Sequence, residues 1–262
     1  MNLALKGKTA VVCGSSAGIG KATSFILAQR GATIILVARN KNKLDKVRSQ
    51  LSTSYGQEHE IICADFNYPD KLDIIIEDYF RSFDKKIDIL INNSGGPPSG
   101  EIIEAQENEF RFAFERLLIC NQIIVKKIVP IMKSVNKGKI INIISMSIRQ
   151  VVRGLGVSNT VRGSVAQWAR TLALELGEFG ITVNNVLPGY TMTERLQELA
   201  MNKAKTLNIT KNEVLEKWAV NTSLRRIGQP NEIGNVIAFL SSEASDYING
   251  FDFCVDGGWI GK

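Results

Sequence analysis

The sequence predicts an α/β fold: an open, doubly wound parallel sheet of about seven strands, with helices on both faces, built as a single domain over residues 1–262. Three observations carry this expectation. Short runs rich in Val and Ile recur along the chain, segments of helical periodicity separate them, and strand and helix alternate from end to end. With 44% hydrophobic and 22% charged residues, only 6 Pro and a mean hydropathy of zero, the chain can bury a full core. No Ser/Pro/Gly-rich linker, low-complexity tract or repeat divides it, which excludes disordered and solenoid architectures.

The first strand is expected at Thr9–Cys13, because four of its five residues are apolar or small and nothing polar interrupts a face buried on both sides. It runs into Gly14-Ser15-Ser16-Ala17-Gly18-Ile19-Gly20, which opens a helix over residues 18–30. Glycines at such a turn let the backbone approach a pyrophosphate, and the amides at the helix N-terminus stabilise its charge; the plainer reading is a tight strand-to-helix turn with no ligand. The second strand, Thr33–Val37, continues into Ala38-Arg39-Asn40. A carboxylate for the ribose hydroxyls of NAD usually stands here, and there is none. The Arg39 guanidinium suits a 2′-phosphate instead, with Lys41 and Lys43 adding positive potential, so NADP(H) is favoured over NAD(H). Taken alone, the basic stretch Arg39–Arg48 reads as the solvated face of a helix over residues 41–55. Further strands are expected at Glu60–Cys63, Ile87–Ile91, Lys139–Ile144, Thr182–Leu187 and Phe251–Val255. Residues 191–222, rich in Leu, Lys, Asn and Glu with few strand signals, read as a helical lid that selects the substrate.

Several function classes are set aside. No apolar run approaches the roughly 20 residues needed to span a bilayer, and the opening Met1–Lys8 is too short a hydrophobic stretch for a signal peptide, so a cytoplasmic protein without a membrane partner is expected. Cys13, Cys63, Cys120 and Cys254 lie far apart with no CxxC pair and read as reduced core thiols, not as a metal site or disulfide framework. His59 is the only histidine, which argues against a His-type zinc site or a Ser-His-Asp triad, and no metal is expected. A formal charge of +6, thinly spread, suits an anionic small molecule and does not announce nucleic acid.

The glycine signature Gly14, Gly18 and Gly20, together with motifs further along, resembles the short-chain dehydrogenase/reductase family, most closely its 3-oxoacyl-carrier-protein reductase group, and the resemblance implies a Rossmann-type fold. Asp65, followed by Phe66, matches the family aspartate that holds adenine; Asn92-Asn93-Ser94-Gly95 matches its Asn-Asn-Ala-Gly motif. Pro188-Gly189, with Thr191 and Thr193 beyond it, matches the turn that touches the nicotinamide and its phosphates. Arg226–Ile233 and Val255-Asp256-Gly257-Gly258 resemble the family's C-terminal segments. The resemblance covers nearly the whole chain in order. It implies cofactor contacts from Gly14, Ser15, Ser16, Gly18, Ile19, Gly20, Arg39, Asp65, Phe66, Asn92, Ser94, Gly95, Pro188, Gly189, Thr191 and Thr193, and a homotetramer formed through the long helices and the C-terminal segment.

The family reduces a carbonyl with Ser, Tyr and Lys, usually with an Asn: the growing alkoxide needs hydrogen-bond donors and a proton source. Ser145 falls at the serine position, although a hydroxyl that merely ends a strand would look the same. Alignment on Arg170–Leu176 puts Ser158 at the tyrosine position and Arg162 at the lysine position, and no tyrosine occurs between Tyr79 and Tyr190. Serine is shorter and far less acidic than tyrosine. Arginine can hold a ribose and keep a positive field, but with a pKa above about 12 it does not relay protons as lysine can. Leu117 falls where the family asparagine would be, with Asn121 one helical turn on. Tyr190, or a water ordered by Ser145 and Ser158, could supply the proton; Tyr190 could equally pack in a lid. Arg149 and Arg153 could stabilise an alkoxide or bind an anionic substrate, or be solvated loop charges. Gly95-Gly96-Pro97-Pro98-Ser99-Gly100 makes a partly rigid loop beside the expected site.

Three functions follow as alternatives. One is an NADP(H)-dependent oxidoreductase interconverting a small-molecule carbonyl and a secondary alcohol, possible as a 3-oxoacyl reductase, with an altered proton path and Ser145, Ser158 and Arg162 as its catalytic set. The second is a nicotinamide-binding sensor or assembly protein without redox turnover. The third is a lyase or isomerase reusing the pocket. The retained Ser145, Pro188-Gly189 turn and lid favour the oxidoreductase.

Overall fold

A computed structural model of the chain describes residues 3–83 and 85–259. Seven parallel strands form one sheet: β1 (Thr9–Cys13), β2 (Thr33–Ala38), β3 (Glu60–Cys63), β4 (Ile89–Asn92), β5 (Gly138–Ile143), β6 (Ile181–Pro188) and β7 (Asp252–Val255), in the order β3-β2-β1-β4-β5-β6-β7. The chain builds outward from β1 to β3, then returns to the other side of β1 with β4. That reversal opens a crevice at the carboxyl ends of β1 and β4, where ligands of such sheets bind.

Alternation along each strand creates two cores. Val11, Cys13, Ile35 and Val37 face one side, packing with Leu72 and Ile76 of α3 (Pro69–Arg81), Ile124 and Ile128 of α5 (Cys120–Ser134), and Ala169 and Ala173 of α6 (Gly156–Leu176). Ala10, Val12, Ile34 and Leu36 face the other, against α1 (Gly18–Gln29), α2 (Lys41–Arg48) and α9 (Pro230–Ser241). Because both faces are covered, the strands lack a solvated polar side, which is why they read as continuous apolar runs. α4 (Glu107–Phe114) passes into α5 through a π-bulge at Glu115–Ile119. Residues 194–220 form α7 (Glu194–Leu207) and α8 (Lys211–Val220), each capped by a threonine, Thr193 or Thr210, whose hydroxyl accepts an amide of the first turn.

The structure departs from the sequence expectation at identifiable places. The second helix stops at Arg48, not near residue 55; the Ser/Thr/Gly-rich segment beyond it is pinned by side chains. Gln57 donates to the Ala28 carbonyl at 2.8 Å, and His59 accepts the Ile34 amide at 3.0 Å while its other ring nitrogen meets the Ser52 carbonyl at 2.9 Å. The single histidine is thus a splice between loop and sheet, and burial holds its pKa below the ordinary value. Only Cys13 and Cys120 are core thiols, their pKa values pushed up to about 12 by burial. Cys63 and Cys254 are exposed, because β3 and β7 are the two edges of the sheet.

Candidate active site

The crevice at the carboxyl end of the sheet is a cleft of about 610 Å³ that runs from Arg39 and Asp65 at one end to Ser145, Ser158 and Arg162 at the other. Its floor at the first end is the glycine turn. Gly14 has φ +61, and a Cβ there would lie 2.5 Å from Asn93 Nδ2; a Cβ on Gly18 would lie 3.3 Å from Thr193 Cγ2. Gly20 packs beneath the turn, where any side chain would strike the Gly14 backbone. The glycines therefore bring three chain segments together. Ala17 caps α1 without a side-chain hydrogen bond, so the first-turn amides stay available to an anion.

Arg39, Asn40 and Lys43 line the wall beyond β2, and no described carboxylate forms an ion pair with Arg39. Asp65, Phe66 and Asn67 follow β3 on the same wall, with Asp65 accepting the Asn67 amide at 3.0 Å. Arg116, from the π-bulge, reaches across to donate to the Asn67 side chain; its buried Nε has no partner and its guanidinium lies over the Phe112 ring at 4.3 Å. Burial and the nearby Arg39 charge lower its pKa.

At the other end, Ser145 begins a short helical turn and its hydroxyl accepts the Ser147 amide at 3.1 Å. Ser158 and Arg162 sit one turn apart on α6. Arg162 donates through Nε to Ser158 Oγ at 3.2 Å and through Nη1 to the Ile144 carbonyl at 2.5 Å. An N–H thus engages the oxygen of each serine, so each hydroxyl keeps its own hydrogen to donate. Burial, with a contribution from Arg195, pushes the Arg162 pKa down to about 10, and the group remains a cation at neutral pH. Two hydroxyl donors beside a fixed positive charge can stabilise an oxyanion.

The cleft wall brings together Gly14, Ser16, Gly18, Ile19, Arg39, Asp65, Phe66, Ser94, Gly95, Ser145, Ser158, Arg162, Pro188, Gly189, Thr191 and Thr193. Ser15 and Asn92 lie outside that lining: Ser15 is buried with its hydroxyl on the Val37 carbonyl at 3.3 Å, and Asn92 is buried in the sheet with its amide on Asn142 at 2.9 Å. Leu117 packs in the core, and Asn121 donates to the Leu117 carbonyl at 2.7 Å, so neither lines the cleft. Tyr190 stacks on Trp218 with ring centroids 5.0 Å apart and meets Trp259 edge-on; it too lies outside the lining, and no tyrosine occurs within it. Arg149 pairs with Asp252 at 3.4 Å and Arg153 with Glu101 at 3.4 Å, both away from the cleft. Arg116, Asn67 and Arg195 are cleft residues that sequence reasoning missed. Asn67 follows Asp65 closely enough to have been noticed; Arg116 depends on the π-bulge, for which the sequence carries no local signal.

Residues 14–260 match the family described as enoyl-(acyl carrier protein) reductase. The chain is 30% identical to the uncharacterized oxidoreductase YxbG of Bacillus subtilis, covering 98% of this chain and 94% of the relative. It is 28% identical to the 7alpha-hydroxysteroid dehydrogenase of Escherichia coli strain K12, over 99% and 96% of the two chains. Among solved structures, L-sorbose reductase from Gluconobacter frateurii, complexed with NADPH and L-sorbose, superimposes with a TM-score of 0.92 at 30% identity, with 100% of both chains covered.

Proposed function

The chain belongs to the short-chain dehydrogenase/reductase family of oxidoreductases, and from that premise we propose that it is an NADP(H)-dependent enzyme interconverting a small-molecule carbonyl and a secondary alcohol. The observation that carries the reading is the continuity of one cleft, from a glycine turn and a carboxylate-free Arg39 to a paired Ser145 and Ser158 with Arg162. The residues fit the cofactor. A cradle that a Cβ on Gly14 would fill, uncapped amides at the start of α1 and cations beyond β2 suit a diphosphate and a 2′-phosphate. Gly14, Ser16, Gly18, Ile19, Arg39, Asp65, Phe66, Ser94, Gly95, Pro188, Gly189, Thr191 and Thr193 would hold it directly, with Ser15, Gly20 and Asn92 shaping the backbone beneath. When bound, the reduced nicotinamide supplies the two electrons of carbonyl reduction.

The chain's own contribution is to the oxygen. Ser145 and Ser158 donate hydrogen bonds to the carbonyl oxygen as negative charge grows there, and Arg162 orients Ser158 and adds its field. With no tyrosine in the lining, the proton reaches that oxygen from water ordered between the two hydroxyls. The 7alpha-hydroxysteroid dehydrogenase and L-sorbose reductase names support a carbonyl or alcohol substrate. A second reading, a nicotinamide-binding sensor or assembly protein without turnover, rests on the same lack of a titratable donor beside Ser158. Residues 191–222, carrying α7 and α8 above the cleft mouth, serve as the substrate lid of this single-domain protein. Exposed Phe114, Leu174, Tyr247 and Phe251 support a homotetramer, and the reading places it in the cytoplasm. Titrating the protein with NADPH and NADH under fluorescence, then adding 3-oxoacyl thioesters, ketones and sugars, tests the proposal. Tighter binding of NADPH and its oxidation by one of these classes are expected; equal weak binding of both nucleotides would remove its basis.

A further inference from the structure

The substrate end of the cleft holds two cations that the cofactor reading leaves without an anionic partner. Arg162 rests on neutral groups alone, the Ile144 carbonyl and the Ser158 hydroxyl, and no described carboxylate forms an ion pair with it. Arg195, in the first turn of α7, donates to the Pro97 carbonyl at 2.8 Å, and its one ion pair is a long contact with Glu198 at 3.7 Å in which both side chains are substantially exposed. The Gly96–Pro97 backbone lies between them: a Cβ on Gly96 would be 3.2 Å from Arg162 Nη2. The walls around them include Leu155 and Leu199. A buried cation without a counter-charge is costly, and two like charges in one partly apolar recess raise that cost. A chain that keeps both has a use for negative charge at this point.

We propose that the substrate carries an anionic group, a carboxylate or a phosphate, held between Arg162 and Arg195 at the Gly96–Pro97 loop, with its reacting carbon oriented toward Ser145 and Ser158. The proposal rests on the oxidoreductase reading and narrows its substrate class to oxo acids or phosphorylated carbonyl compounds. It also gives the loop a role: Gly96 leaves room for the Arg162 guanidinium, and the Pro97 carbonyl holds Arg195 over the recess. The direction in which Arg195 shifts Arg162 agrees with two cations facing one site.

The test uses the full-length protein saturated with NADP+ and calorimetric titration of two probe pairs that differ in charge: acetoacetate against methyl acetoacetate, and dihydroxyacetone phosphate against dihydroxyacetone. One charged member should bind at least about tenfold more tightly than its neutral twin, as charge-assisted hydrogen bonds require. Which pair shows the preference identifies carboxylate or phosphate. Arg195→Gln should abolish the preference and leave NADP+ affinity within about twofold, whereas Arg195→Lys should keep much of it. Equal binding of both twins, or no binding of either charged probe up to about 20 mM, overturns the proposal. Equal weakening of NADP+ and the charged probe by Arg195→Gln overturns it as well, by assigning Arg195 to the cofactor phosphates. If NADP+ fails to bind the native protein, the oxidoreductase reading fails instead, and the same four probes titrated without nucleotide decide the anion site separately.

Discussion

Asp252→Asn tests how the sheet holds the cleft in place. Four in-register residues, Asn92, Asn142, Asn185 and Asp252, cross β4 to β7 side by side. Their side chains form one chain of hydrogen bonds: Asn92 donates to Asn142 at 2.9 Å, Asn142 to Asn185 at 3.1 Å and Asn185 to Asp252 at 2.8 Å. Every donor points toward the carboxylate, which also accepts Arg170 at 2.5 Å and Arg149 at 3.4 Å. Asp252 is 4% exposed, so the chain has a buried terminus that can only accept. An asparagine of the same shape puts an NH2 group against either Asn185 or Arg170 and removes the charge that both arginines face. Breaking a fully buried pair costs about 3–5 kcal/mol, but Arg170 and Arg149 are 41% and 48% exposed and partly screened, so about 2–3 kcal/mol is expected here. For a chain of this size that corresponds to a fall in Tm of about 4–10 °C. Thermal melts followed by circular dichroism at fixed protein concentration measure it, with Asp45→Asn in the exposed pair with Arg48 as a control that should shift Tm by less than about 1 °C. An Asp252→Asn protein that melts with the native one would refute the view that this chain of amides is held by its acceptor end.

Three further outcomes are expected. Arg39→Ala should lower the affinity for NADPH about 10- to 100-fold while leaving NADH within about twofold, read by fluorescence titration, with Lys43 retaining part of the preference. Glu232 accepts both Arg226 nitrogens at 2.6 and 2.7 Å and the Gln229 amide at 2.8 Å, and these partners hold its carboxyl down at about 2 from an ordinary 4.5. A depressed carboxylate stabilises the fold above its unfolded pKa and loses that contribution as pH falls through the folded one; the Tm gap between native and Glu232→Gln proteins should therefore be full at neutral pH and close between about 4.5 and 2. In native buffer a disulfide reagent should modify Cys63 first and Cys254 more slowly, while Cys13 and Cys120 react only after unfolding, as mass spectrometry of the modified peptides will report.

The parallel strands were readable because burial on both faces leaves an unbroken apolar signature, and the glycine turn because close backbone approach admits few residues. Thr9–Cys13 and Glu60–Cys63 match the structure to the residue. The end of α2 was not readable, since Leu51 continues the apolar spacing while the loop that replaces the helix is fixed by Gln57 and His59 from further along the chain. The exposure of Cys63 and Cys254 depends on which strands lie at the edges, a property of topology and not of local pattern. In the cleft, local motifs pointed to Gly14, Arg39 and Ser145, whereas Arg116 and Arg195 arrive from helices whose placement only the tertiary structure supplies. Tyr190 has the same history in reverse: its sequence position beside Pro188-Gly189 suggested the cleft, and stacking on Trp218 takes it elsewhere.

The central claim is that Ser145, Ser158 and Arg162 support turnover without a cleft tyrosine. Its most direct test is NADPH oxidation by the native protein across the carbonyl panel, run beside the Ser158→Tyr/Arg162→Lys double variant. The account predicts substrate-dependent oxidation by the native protein that Ser158→Ala reduces. Tight NADPH binding with no oxidation by the native protein, and activity that emerges only in the double variant, would contradict it and establish the sensor reading.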